Sequence, residues 1–119
     1  MIKYKFNKYY DTFFRRNELS IEVEGDFGGL YELAYLGGVD GIRDFINFIK
    51  KNIADKTPDF SQSWGFEQVI IFVGGKMSKY GFNFDTEHYQ EYEFPTTELL
   101  KLLEDWLIFQ TENYDKIQV

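Results

Sequence analysis

The one histidine of the chain, His88, stands in the run Asp85-Thr86-Glu87-His88-Tyr89-Gln90-Glu91, which offers an imidazole and carboxylates, the donor types that hold a divalent metal. A metal also needs its ligands on one side. Here there is no second histidine and no helical His-x-x-x-His spacing, and strand alternation would send Glu87 and His88 to opposite faces. A surface histidine is the plainer reading. The stretch Val69-Ile70-Ile71-Phe72-Val73-Gly74-Gly75-Lys76-Met77-Ser78 has the look of a strand entering a phosphate loop. It lacks the earlier glycine of that motif, and the residues after it are strand-like, where a helix N-terminus would have to hold phosphate. Gly74-Gly75 reads instead as a tight connection that needs positive φ. Paired carboxylates could run glycosidase chemistry, but a chain of 119 residues with two helices leaves little material for a cleft. No Gly-x-Ser-x-Gly marks a serine nucleophile, and the absence of Cys removes thiol chemistry and disulfides. No catalytic residue, metal or cofactor is expected, and the reading is of a binding protein instead of an enzyme.

The elements that would carry a binding surface are legible in part. Ile42, Phe45, Ile46, Ile49 and Ile53 recur with helical spacing, predicting a helix over about 41–53 with Asp40 as its N-cap. Leu99, Leu102, Leu103, Trp106 and Leu107 predict a second over about 97–112, with Pro95-Thr96-Thr97 ending a strand and offering a capping hydroxyl. Ile2-Tyr4-Phe6 and Leu19-Ile21-Val23 alternate as half-buried strands do, and Tyr31 to Leu36 is a further short strand candidate between glycine pairs. Gln68 to Val73 reads as a central strand. Tyr80, Phe82 and Phe84 share a face, as do Tyr92 and Phe94 across a turn near Asp85-Thr86-Glu87, which makes a hairpin. The expectation is a single domain over 1–119, of α+β class, with an antiparallel sheet of five or six strands and two helices on one face.

Alternation then assigns the other face. It would carry Asn83, Asp85, Tyr89, Glu91 and Glu93, with Glu22 and Glu24 from the strand near residue 20. Acidic and aromatic groups would share one open surface. The composition agrees: 13 Phe, 9 Tyr and 2 Trp exceed what a core of this size takes up, and surplus Tyr and Trp are enriched at binding hot spots. They also suit ordinary strands.

The net charge is −7, unevenly spread. Residues 1–16 hold Lys3, Lys5, Lys8, Arg15 and Arg16 against Asp11, while 17–42 and 83–94 carry negative charges alone. An acidic surface repels phosphate backbones and attracts basic proteins, so direct nucleic-acid binding is not expected; the same charge also serves solubility. No stretch is as long and apolar as a membrane span, and Met1-Ile2-Lys3-Tyr4-Lys5-Phe6 lacks the apolar core of a signal peptide. With no Cys, a cytoplasmic protein is expected.

The stretch Glu93-Phe94-Pro95-Thr96-Thr97-Glu98-Leu99-Leu100-Lys101-Leu102-Leu103-Glu104-Asp105-Trp106-Leu107, in a small acidic Tyr-rich chain without Cys, resembles the immunity proteins of bacterial polymorphic toxin systems, including those of contact-dependent growth inhibition. The resemblance is local, about 20 residues, and carries over no interface residue. It implies an inhibitor that occludes a toxin domain, often a basic nuclease. On this sequence the partner-binding set would be Glu22, Glu24, Asp85, Glu87, Tyr89, Glu91, Tyr92 and Glu93. The alternatives are an adaptor for an ordinary cellular protein and a nucleic-acid mimic.

Overall fold

The apolar stripe Ile42, Phe45, Ile46 and Ile49 lies buried along helix α1 (Gly38–Ala54), with Ile53 half-buried at its end. Helix α2 (Thr96–Glu112) buries Leu99, Leu102, Leu103 and Trp106, and the two helices pack on each other. The structure, a computed structural model, describes residues 1–82 and 89–113. Its strands are β1 (Tyr4–Asp11), β2 (Arg16–Val23), β3 (Gln62–Gly65), β4 (Val69–Val73), β5 (Met77–Phe82) and β6 (Gln90–Pro95). The α+β class and the antiparallel pairing are as expected from the sequence. The strands form two sheets instead of one: a β1–β2 hairpin, and a four-stranded sheet in the order β3-β4-β5-β6.

Register explains the layers. Trp64 faces Ile71, Ile71 faces Tyr80, and Tyr80 faces Tyr92, so these side chains share one side of the sheet with Val69, Val73, Phe82 and Phe94. That inner side receives the helices, with Phe45 stacked on Trp64 at 4.6 Å. The hairpin is held separately. Phe6 lies 5.2 Å from Trp106 and 5.3 Å from Phe109, and the Tyr4 hydroxyl donates to Asp105, which also binds Lys101 at 3.0 Å.

Five local expectations are corrected. Tyr31 to Leu36 is not a strand. Gly25–Tyr35 is a 3₁₀ segment, and Leu30 and Leu33, buried one three-residue turn apart, match its period. Asp40 does not cap α1 but sits in its first turn; the helix begins at Gly37 and Gly38, whose φ of 89° and 85° favour glycine. Strand β3 is an addition to the expected set, since Gln62-Ser63-Trp64-Gly65 has too little apolar alternation to announce it. Gly74 and Gly75 do not have positive φ; glycine is required there because backbone passes close. A β-carbon on Gly74 would stand 2.6 Å from the Met77 carbonyl oxygen, and one on Gly75 2.9 Å from that of Asn52.

The fifth concerns Thr96, whose hydroxyl does not cap α2. It donates to the Gly74 carbonyl at 2.9 Å and lies 2.6 Å from the Ser78 hydroxyl. Because the Thr96 proton is committed to Gly74, Ser78 must donate to Thr96, and the Ser78 oxygen accepts the Gly74 N–H at 3.4 Å. This closed network is buried where β5 meets the β6–α2 junction. Thr96→Val keeps the shape but takes the hydroxyl donor from the Gly74 carbonyl and the acceptor from the Ser78 proton. It should lower unfolding free energy by about 1–3 kcal/mol, while Thr96→Ser keeps most of it, as measured by denaturant titration.

Candidate surface of the four-stranded sheet

Side chains opposite the core alternate with those just described, so Ser63 and Gly65 of β3, Ile70 and Phe72 of β4, Lys79 and Gly81 of β5, and Glu91 and Glu93 of β6 share the outer face. Both helices and the 3₁₀ segment lie against the inner side, and no described element covers the outer one. Glu91 and Glu93 are exposed there, as alternation predicts. Tyr89 joins them by an unusual route. Its ring lies across Gly81, so that a β-carbon at Gly81 would run into the end of the phenol. Burial, followed by the charge of Glu91, raises the Tyr89 pKa, and the hydroxyl stays a hydrogen-bond donor at neutral pH.

The face has an aromatic floor and a cation set in it. Lys79 Nζ lies 5.1 Å from the Phe60 ring centroid and 5.3 Å from that of Phe72, and 2.6 Å from Glu91 Oε2. The hydrogen bond to Glu91 raises the Lys79 pKa and keeps it charged. The described part of the face therefore carries one cation against two carboxylates.

The other residues of the expected set are placed elsewhere. Glu22 and Glu24 belong to the hairpin. Glu22 pairs with Lys5 at 3.0 Å, a contact that lowers the Glu22 pKa and raises that of Lys5, and Glu24 comes directly after β2 with its backbone N–H bonded to the Lys3 carbonyl. Tyr92 points to the inner side, half-buried, with its ring 5.7 Å from Tyr80 and 6.1 Å from Phe27. Asp85 and Glu87, with Asn83, Phe84 and His88, lie outside the described residues. Charge along the chain counts Glu32 among the acids of 17–42, yet it is no surface group. It is 1% exposed, and its two carboxylate oxygens accept the Gln68 N–H at 3.1 Å, tying the 3₁₀ segment to the start of β4.

Among the described residues no three Asp, Glu or His side chains gather as metal ligands would, and no helix is long and apolar enough to cross a membrane. A concavity of about 450 Å³ between α1 and the Gly74-Gly75 connection is lined by Ile53 and Pro58 with Lys56, Asp59 and Lys76. Its carboxylate is already engaged, since Asp59 Oδ1 accepts the Met77 N–H at 3.0 Å. No protein family, curated protein or solved structure matches this chain.

Proposed function

We propose that this chain is a non-catalytic protein-binding domain that neutralises one basic partner by stoichiometric occlusion, in the manner of an immunity protein facing its toxin domain, with the outer face of the four-stranded sheet as the contact. The observation that carries this reading is the uncovered strand surface on which Tyr89, Glu91 and Glu93 stand beside Ile70, Phe72 and Phe60. Glu91 and Glu93 are borne on a strand and held more rigidly than loop side chains, so less entropy is lost on binding. An arriving Lys or Arg meets Glu93 directly. It reaches Glu91 by displacing Lys79, which keeps its seat on the Phe60 and Phe72 rings. Tyr89 supplies the desolvated centre and the acids set the sign of the partner.

The candidate partner is the product of the reading frame encoded beside this one. Expressed alone it should arrest growth, and co-expression of this chain should relieve the arrest. Glu91→Lys/Glu93→Lys should weaken the purified complex by about tenfold or more and flatten its salt dependence. A neighbour that is harmless alone, or a complex that binds the double variant as tightly as the wild type, would overturn the reading.

A further inference from the structure

The β1–β2 hairpin has the opposite character. Residues 4–23 set Lys5, Lys8, Arg15 and Arg16 against Asp11, Glu18 and Glu22, a net charge of +1 in a chain whose total is −7, so the rest of the molecule carries −8. Lys5 and Arg16 are engaged by Glu22 and Glu18, whereas Lys8 and Arg15 have no ion pair among the described residues. Around these cations lies an aromatic surface. Phe13 is 85% exposed and Phe14 61%, Tyr10 58% and Tyr9 48%; the adjoining 3₁₀ segment adds Tyr35 at 64% and Tyr31 at 38%.

This surface is ordered. Asp11 Oδ1 accepts the N–H groups of Phe13 at 2.8 Å and Phe14 at 3.0 Å, and Arg15 takes a φ of 53° to close the turn. The Phe13 and Phe14 rings meet edge to face at 4.9 Å, as Tyr31 and Tyr35 do at 6.0 Å. Burial, followed by the charges of Glu18 and Asp11, raises the Tyr9 pKa, so its hydroxyl keeps its proton at neutral pH. Tyr9 and Tyr10, neighbours on β1, point to opposite faces of the hairpin, so the rings that share its tip are Phe13 and Phe14; at about 200 Å² for each, their exposures leave about 300 Å² in water. That is below the roughly 800 Å² that each partner contributes to a standard interface and suits a weak association.

An occupant must offer apolar ground and negative charge. The basic partner proposed for the sheet face offers the wrong sign. The chain itself has the right surface, since the outer sheet face carries Ile70, Phe72 and Tyr89 with Glu91 and Glu93. We propose that the hairpin tip of one copy docks on the outer sheet face of a second copy, so that the chain associates with itself head to tail. The inference rests on the reading of that face as a contact surface but fills it differently, and the two occupants exclude one another. Where both tips engage, the product is a closed dimer; where one engages, a chain of copies.

Sedimentation velocity of the pure, full chain tests this without any partner. Between micromolar and millimolar concentration the mass should rise above the 14.2 kDa of one copy. The association should weaken about tenfold or more between about 0.01 M and about 1 M salt, as the screening length falls from about 30 Å to about 3 Å. Phe13→Ser/Phe14→Ser, or Arg15→Glu, should raise the dissociation constant by about tenfold or more without changing the melting curve, because these side chains are exposed. Mixing Arg15→Glu with Glu93→Lys should restore association between the two variants. A single copy at every concentration, association indifferent to the tip substitutions, or a mixture no better than its components would each overturn the proposal. A solitary chain that still binds the neighbouring gene product through Glu91 and Glu93 would remove this inference and leave the partner reading standing.

Discussion

Trp106→Ala should lower unfolding free energy by about 3–5 kcal/mol, a large part of the roughly 5–15 kcal/mol that holds a domain of this kind. Trp106 is 1% exposed and stands where α2 meets the hairpin. It continues the buried Leu99, Leu102 and Leu103 stripe of α2, stacks on Phe109 at 5.9 Å, and receives Phe6 of the hairpin at 5.2 Å. Alanine would leave a cavity that neither the helix nor the hairpin can close without parting from the other. Trp106→Phe should cost less than half as much, because it keeps an aromatic ring and deletes an indole N–H that has no hydrogen-bond partner among the described residues. Denaturant titration monitored by the fluorescence of Trp64, the remaining tryptophan, reads both. Equal costs for the two variants would mean that the hairpin does not depend on the ring.

Gly81→Ala should do the reverse, leaving stability within about 1 kcal/mol of the wild type while binding of the basic partner falls about thirtyfold. The added methyl occupies the place where the Tyr89 ring lies across β5. Tyr89 is partly exposed and only the far end of its side chain is struck, so it can swing aside at little cost to the fold. The outer face then loses its central aromatic group while keeping Glu91 and Glu93. Tyr89→Ala should match it in affinity, and a Gly81→Ala protein that binds normally would remove Tyr89 from the contact. Calorimetric titration beside a melting curve separates the two effects in one preparation.

Both variants draw on features that differ in how far the sequence reveals them. Trp106 is readable as a core residue, because helical periodicity is a property of neighbours three and four apart and needs no knowledge of the rest of the chain. The same holds for the α1 stripe, and for the alternation that puts Tyr80, Phe82, Tyr92 and Phe94 inside and Glu91 and Glu93 outside. The 3₁₀ segment departs from the expected strand because short apolar runs between glycines suit several periods equally. Leu30, Leu33 and Leu36 carry the three-residue spacing that identifies it. Strand β3 has no such signal, since what makes Gln62-Ser63-Trp64-Gly65 a strand is the free edge of β4 and the Phe45 ring awaiting Trp64.

The character of the surface divides in the same way. Composition and order along the chain already establish a small α+β chain with a basic, aromatic beginning and an acidic remainder, because residue type and local alternation settle those matters. Which charges stand free is a question of distant encounters. Glu32 is drawn inside by a backbone N–H 36 positions away, Glu91 meets Lys79 across a strand pair, and Glu22 meets Lys5 in a hairpin that forms its own sheet. Placing a carboxylate in water, beside an ammonium or in the core depends on which segment passes nearby, and that is known only once the chain has packed.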